Sequence, residues 1–143
     1  MSSENTMTPY QEDFGNMIEA GFIAVKNLDE GAAHRLFHAA NILKPESTAP
    51  MIGIGYIYLN KLQHKEAADL FEQVIDKEPD NDLATMFLGL SYVLSDDKQG
   101  EGEKLIKTTM KKTEDPAIQN LGKVALEWNE KDLKSENKKK FIL

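Results

Sequence analysis

Two histidines four positions apart, His34 and His38 in the run Ala-Ala-His-Arg-Leu-Phe-His-Ala-Ala, are the first pair whose spacing could do chemistry. On a helix they share a face and could share a metal ion. A stable site needs further ligands, and no carboxylate lies one turn away on that face. Both are therefore expected as surface histidines, with no metal and no cofactor. Asp69, Glu72 and Asp76 recur at helical spacing and read as a solvated face. Gly53 and Gly55 in MIGIGY lie inside a helical stretch and follow no strand, which excludes a dinucleotide-binding turn. The sequence offers no Ser/His/Asp arrangement, no carboxylate pair on an apolar face and no phosphate loop. The chain is not expected to be an enzyme.

Composition narrows the partners. The 143 residues suit one domain long enough to bury a core, and 41% hydrophobic with 29% charged is ordinary for a globular chain. A net charge of −7 argues against a nucleic-acid phosphate track or an anionic membrane surface. The absence of Cys removes disulfides and thiolate metal sites and is compatible with a reducing compartment. The longest apolar run, Met51 to Leu59, is far short of the roughly 20 residues that span a bilayer. The polar start, MSSENTMTP, lacks the basic-then-apolar order of a secretory signal. A soluble intracellular protein is expected, with neither nucleic acid nor membrane as a partner.

The elements that would position any site form a repeat. Met51, Ile54, Gly55 and Tyr58, then Ala67 and Phe71, then Pro79 are spaced as in a tetratricopeptide repeat. Such a repeat is a helix–turn–helix unit of about 34 residues. Shifted by one repeat in either direction the pattern returns: Gly21, Gly55 and Gly89; Ala33 and Ala67; Phe37, Phe71 and Leu105; Pro45 and Pro79. The expected fold is all-α, with three such repeats at about 14–47, 48–81 and 82–115 and a capping helix at about 116–131. Together they make a right-handed superhelical solenoid over 9–131, preceded by a disordered segment 1–8 and followed by a basic tail 132–143.

Each repeat has a first helix, A, and a second, B. Thr8-Pro9 with Gln11 opens the first A helix as cap, first residue and reciprocal partner. Thr48 is expected to cap the second, Asn81 the third, and Asp115-Pro116 opens the closing helix. There Ile118, Leu121, Val124, Ala125 and Trp128 recur at three and four. In the third repeat the small slot falls on Glu101, and a one-residue insertion would move it to Gly102. From Asn129 onward the chain carries a net +2 and ends in Phe141-Ile142-Leu143, leaving −9 on residues 1–128.

The informative positions are those that stacking does not need. The inner, concave wall of such an array is built from A-helix positions 2, 5, 9 and 12. These read Gly15, Ile18, Phe22 and Val25; Ala49, Ile52, Tyr56 and Leu59; Leu83, Met86, Leu90 and Val93. Almost nothing charged faces inward, and the second and third A helices are apolar nearly all round, so they must be covered on both sides. A wall of this kind is on the order of several hundred Å², more than monomers usually expose. It is expected either to hold an apolar segment of another protein, as a helix in a groove, or to be closed by the chain's own ends or by homodimerisation. Clamping a partner's terminal carboxylate would need Lys, Arg or Asn at positions 18, 22, 52, 56, 86 and 90, and none is there.

Three short repeats, an apolar concave wall, a closing helix, acidic charge and no Cys resemble the small tetratricopeptide chaperones of bacterial type III secretion. The segment Glu114-Asp115-Pro116-Ala117-Ile118-Gln119 is similar to the equivalent stretch of the branch that holds the needle subunit, chlamydial members included. The regularity of the repeats suits the sister branch, which holds the hydrophobic translocators. The resemblance implies a bacterial cytoplasmic chaperone that keeps a needle subunit from polymerising, together with a small helical co-chaperone on the first repeat's outer face. The client helix would lie along Ile18, Phe22, Val25, Ile52, Tyr56, Leu59, Leu83, Met86, Leu90 and Val93, with Tyr56 as hot spot.

Overall fold

The computed structural model describes residues 9–133. They form seven α-helices: α1 Pro9–Lys26, α2 Glu30–Leu43, α3 Ala49–Asn60, α4 His64–Lys77, α5 Asp82–Val93, α6 Gln99–Lys112 and α7 Pro116–Trp128. One turn of wider π-helix, Asn129–Leu133, follows. No strand occurs among the described residues. The segment 1–8, its Thr8 cap and the tail from residue 134 onward lie outside them.

The caps follow local chemistry. The side chains of Asp29, Asn81 and Asp115 accept hydrogen bonds from the backbone N–H of Ala32, Ala84 and Ala117 at 3.1, 3.0 and 2.9 Å. Each satisfies an N–H that has no partner within its helix. Thr48 does not cap α3 as expected. Its hydroxyl donates to Glu78 Oε1 at 2.9 Å, and Ser47 Oγ accepts from the Ala49 N–H at 3.2 Å instead. Thr48 sits against the end of α4 and is buried there, which turns its hydroxyl away from the helix it precedes. The A-to-B turns of the first two repeats place Leu28 and Leu62, at equivalent positions, at φ 62° and 60°. That is the left-handed region, where a branched side chain is strained.

Consecutive helices pack in sequence order, and the A helices α1, α3, α5 and α7 also touch their neighbours in the row. Each B helix buries three positions with the same spacing: Ala33, Phe37 and Ala40 on α2, Ala67, Phe71 and Val74 on α4, Gly102, Ile106 and Thr109 on α6. The first step is one exact repeat, and the second is one position longer. Gly102 takes the small slot in place of Glu101, and the large slot moves with it from Leu105, which is only partly buried, to Ile106. The expectation for Leu105 is thereby corrected. The inserted residue falls in the turn before α6 and shifts that helix's register by one residue, about 100° around its axis, so that Ile106 and not Leu105 faces inward.

The glycines of the A helices receive those large residues. A Cβ on Gly21 or Gly55 would lie 2.5 or 2.6 Å from the ring of Phe37 or Phe71, and one on Gly89 would lie 2.8 Å from Ile106. Gly102 meets backbone directly: its Cβ would lie 2.7 Å from Gly89 O and Val93 N. The closing helix α7 repeats the A-helix role. Gly122 abuts Met110 and Met86, and Ala125 is buried. Val124 follows Gly89 by the same longer step, in the slot that receives a B helix elsewhere, and is 48% exposed.

Candidate protein-binding site

Helices α3 and α5 contain no exposed residue at all. The side chains at A-helix position 9 meet those of neighbouring helices in a row of aromatic rings that crosses the array. Phe37 and Phe22 lie edge to face with centroids 5.3 Å apart, Phe22 and Tyr56 at 5.2 Å, Tyr56 and Phe87 at 5.4 Å, Phe87 and Phe71 at 5.4 Å. Contacts of this kind add to simple area burial.

This arrangement corrects the expectation of an open apolar wall. Of the ten residues assigned to it, Val25, Ile52, Tyr56, Leu59, Met86, Leu90 and Val93 are buried, at 0–5% exposure. Ile18, Phe22 and Leu83 are partly exposed and pack against the core. The rings of Phe22, Tyr56 and Phe87 face one another across adjacent A helices, so side chains expected to meet solvent are core. Gly15, at the start of the row, is exposed, and Ala49 is partly buried. The ten residues therefore form a continuous seam with three accessible members.

Two members of the seam escaped the sequence reading. Phe87 and Gly53 both occupy A-helix position 6, one repeat apart, and each meets the large B-helix residue of the preceding repeat. The signal was present as a third repeated register, obscured because one copy is glycine and the other phenylalanine.

Polar groups hold the seam's edges. Burial pushes the Tyr56 phenol above its usual range, an effect the Asn60 side chain partly offsets. Asn60 Nδ2 also donates to the Tyr56 carbonyl at 2.9 Å. Tyr92 donates to Glu72 Oε1 at 3.1 Å, and Lys98 Nζ lies 4.8 Å from its ring centre. Desolvation, then the neighbouring Glu72 carboxylate, pushes Tyr92 up to about 12. Glu78 accepts from Asn81 and Thr48, which holds its carboxyl below the usual carboxylate range. Asn129, wholly buried after α7, donates to Glu103 on α6.

His34 and His38 stack with ring centres 6.1 Å apart. Among the described residues no group of three or more His, Cys, Asp or Glu could hold a metal ion. No described helix is long and apolar enough to cross a membrane. The outer face of α6 carries an open depression lined by Gly100, Glu103, Lys104, Lys107, Thr108 and Lys111. Among the described residues the large exposed apolar side chains, Ile23, Leu28, Ile42 and Val124, are scattered over the first repeat and the closing helix. Comparison with protein-family models, with curated proteins and with solved structures gives no significant match.

Proposed function

We propose that the chain is a non-catalytic chaperone that holds an amphipathic helix of another protein along its A-helix seam. The observation that carries this reading is that apolar Ile18, Phe22 and Leu83 stay partly exposed at the edge of a seam whose other members, Ile52, Tyr56, Leu59, Met86, Leu90 and Val93, are buried. The type III secretion resemblance supplies the client class: a needle subunit, handled together with a small helical co-chaperone in a bacterial cytoplasm, with the hydrophobic translocators as the sister choice.

Burial of the seam sets the mechanism. A client helix first meets Ile18, Phe22 and Leu83, the accessible members, and gains the rest only if the A helices part. The apparent affinity is then lower than the intrinsic one by the fraction of molecules that are open. This suits a carrier that must release its cargo. Co-expression with the products of neighbouring genes, followed by size-exclusion chromatography, tests it. A stable complex with a small helical protein is expected, weakened by Ile18→Glu or Leu83→Glu with helicity retained. A chain that captures no helical partner sinks the proposal. Tyr56→Glu is unsuitable as a binding probe, because a carboxylate at a site 4% exposed would damage the fold itself.

The same burial favours a second reading, a scaffold whose seam stays closed within the chain. Dye binding by the full chain separates the two. A hydrophobic dye that binds strongly and is displaced by a small helical protein favours the client seam, and one that binds weakly identifies a seam closed by its own helices.

A further inference from the structure

Helices α4 and α6 carry opposite charge at three equivalent places on their outer faces, while the flanking equivalent pairs Glu66/Glu101 and Lys77/Lys112 are alike. Counting from the small packing residue, Ala67 or Gly102, the residues two, five and nine further on are Asp69, Glu72 and Asp76 on α4 and Lys104, Lys107 and Lys111 on α6. All six are exposed. The spacing puts each trio on one face of its helix. Because both helices bury the same three positions, the two stripes project from the same side of the array.

Neither stripe is neutralised by the other. The ion pairs among the described residues join Lys61 to Glu30 and Lys112 to Asp80 and Asp82, leaving the six stripe residues out. Glu72 receives a hydrogen bond from Tyr92 but no cation. Three carboxylates and three ammonium groups thus stand on successive B helices, in the same register, each facing solvent.

We propose that this side of the array is a self-association surface, on which a second copy of the chain docks with its α4 over α6 and its α6 over α4. Such a contact is isologous and closes as a two-fold dimer. The charges choose the axis. A two-fold axis parallel to the helices and midway between them sets Asp69 opposite Lys104, Glu72 opposite Lys107 and Asp76 opposite Lys111, on both sides at once. An axis across the helices would stack acid on acid and base on base. The surface uses only B helices, so the dimer stands whether or not the A-helix seam takes a client.

Exposed pairs are individually weak and screened by salt, so the dimer is a low-salt species. Sedimentation of the full chain tests it at salt concentrations of about 0.01 M and about 1 M, where the screening length falls from about 30 to about 3 Å. The expected result is concentration-dependent dimerisation at low salt that is lost at high salt. Lys104→Glu with Lys111→Glu makes both faces mainly acidic, Lys107 remaining, and Asp69→Lys with Asp76→Lys makes both mainly basic. Glu72 is left in place to keep its bond to Tyr92. Each double variant alone should self-associate about tenfold or more weakly, and an equimolar mixture of the two should form a mixed dimer. A chain bearing all four substitutions exchanges the stripes and should dimerise as the native one does. A native chain that stays monomeric at low salt overturns the proposal, including the case where the lysines instead take an acidic peptide. So do variants that dimerise unchanged, or a mixture that forms no mixed dimer.

Discussion

The two junctions between successive repeats use the same positions and fill them in opposite ways. At the first, the Phe37 ring lies between Gly21 of its own repeat and Gly53 of the next, where added Cβ atoms would sit 2.5 and 2.3 Å from it. At the second, Phe71 lies against Gly55 but meets the Phe87 ring where the first junction has Gly53. At the first junction backbone approaches the Phe37 ring from both sides, with Phe22 of the same repeat edge-on to it. At the second a ring, Phe87, stands in the place of the second glycine. A glycine wall can neither yield nor fill a hole, whereas an aromatic neighbour can do some of both.

Truncation is the strongest way to break this contrast. Phe37→Ala should cost about 5 kcal/mol and Phe71→Ala about 3 kcal/mol, because the hole beside Phe87 can partly collapse. Urea denaturation midpoints of the two variants measure the difference, and equal losses would remove the distinction between the junctions.

Growth is the next test. Gly53→Ala should cost about 1–3 kcal/mol, since the buried Phe37 ring has nowhere to move, whereas Phe87→Leu should cost about 1.5 kcal/mol or less. Thermal melts of the pair decide this.

The turns within the first two repeats sharpen the comparison with a gain. Leu28 is 78% exposed and strained at φ 62°, so Leu28→Gly should stabilise by about 1 kcal/mol. Leu62 has the same backbone but packs against the core, and Leu62→Gly should be near neutral. Chemical denaturation of the two glycine variants reads the difference.

The smallest effect concerns pH at the start of the third repeat. Glu78 is held below the usual carboxylate range by hydrogen bonds from Asn81 and Thr48. Its contribution is complete above the pKa of the unfolded chain and disappears as pH falls through the lower folded value. Thr48→Val should therefore lower the melting temperature slightly at neutral pH and hardly at all in acid, so that thermal melts of the variant show a weaker acid sensitivity.

Much of this architecture is legible in the residue order, and the reasons can be located. Gly21, Gly55 and Gly89 mark the close approaches because nothing larger fits beside Phe37, Phe71 and Ile106. Asn81 and Asp115 announce helix starts because capping is settled between near neighbours in the chain. Thr48 misled because its partner, Glu78, lies at the far end of the next helix. Leu105 misled because a single inserted residue turns a helix without disturbing its apolar spacing. The candidate site is half legible: the residue order marks the ten seam residues as a set and says nothing of their exposure.

By itself the sequence determined that the chain is helical, where most helices begin and which small and large residues meet inside the first two repeats. Those are matters of short-range spacing, and periodicity carries them. Only the tertiary structure decided which neighbour covers the remaining side of each A helix. A helix apolar all round announces that it will be covered, but not by what. That depends on how the repeats turn relative to one another. Here the turn sends Phe22, Tyr56 and Phe87 into each other and leaves the charged stripes of α4 and α6 exposed.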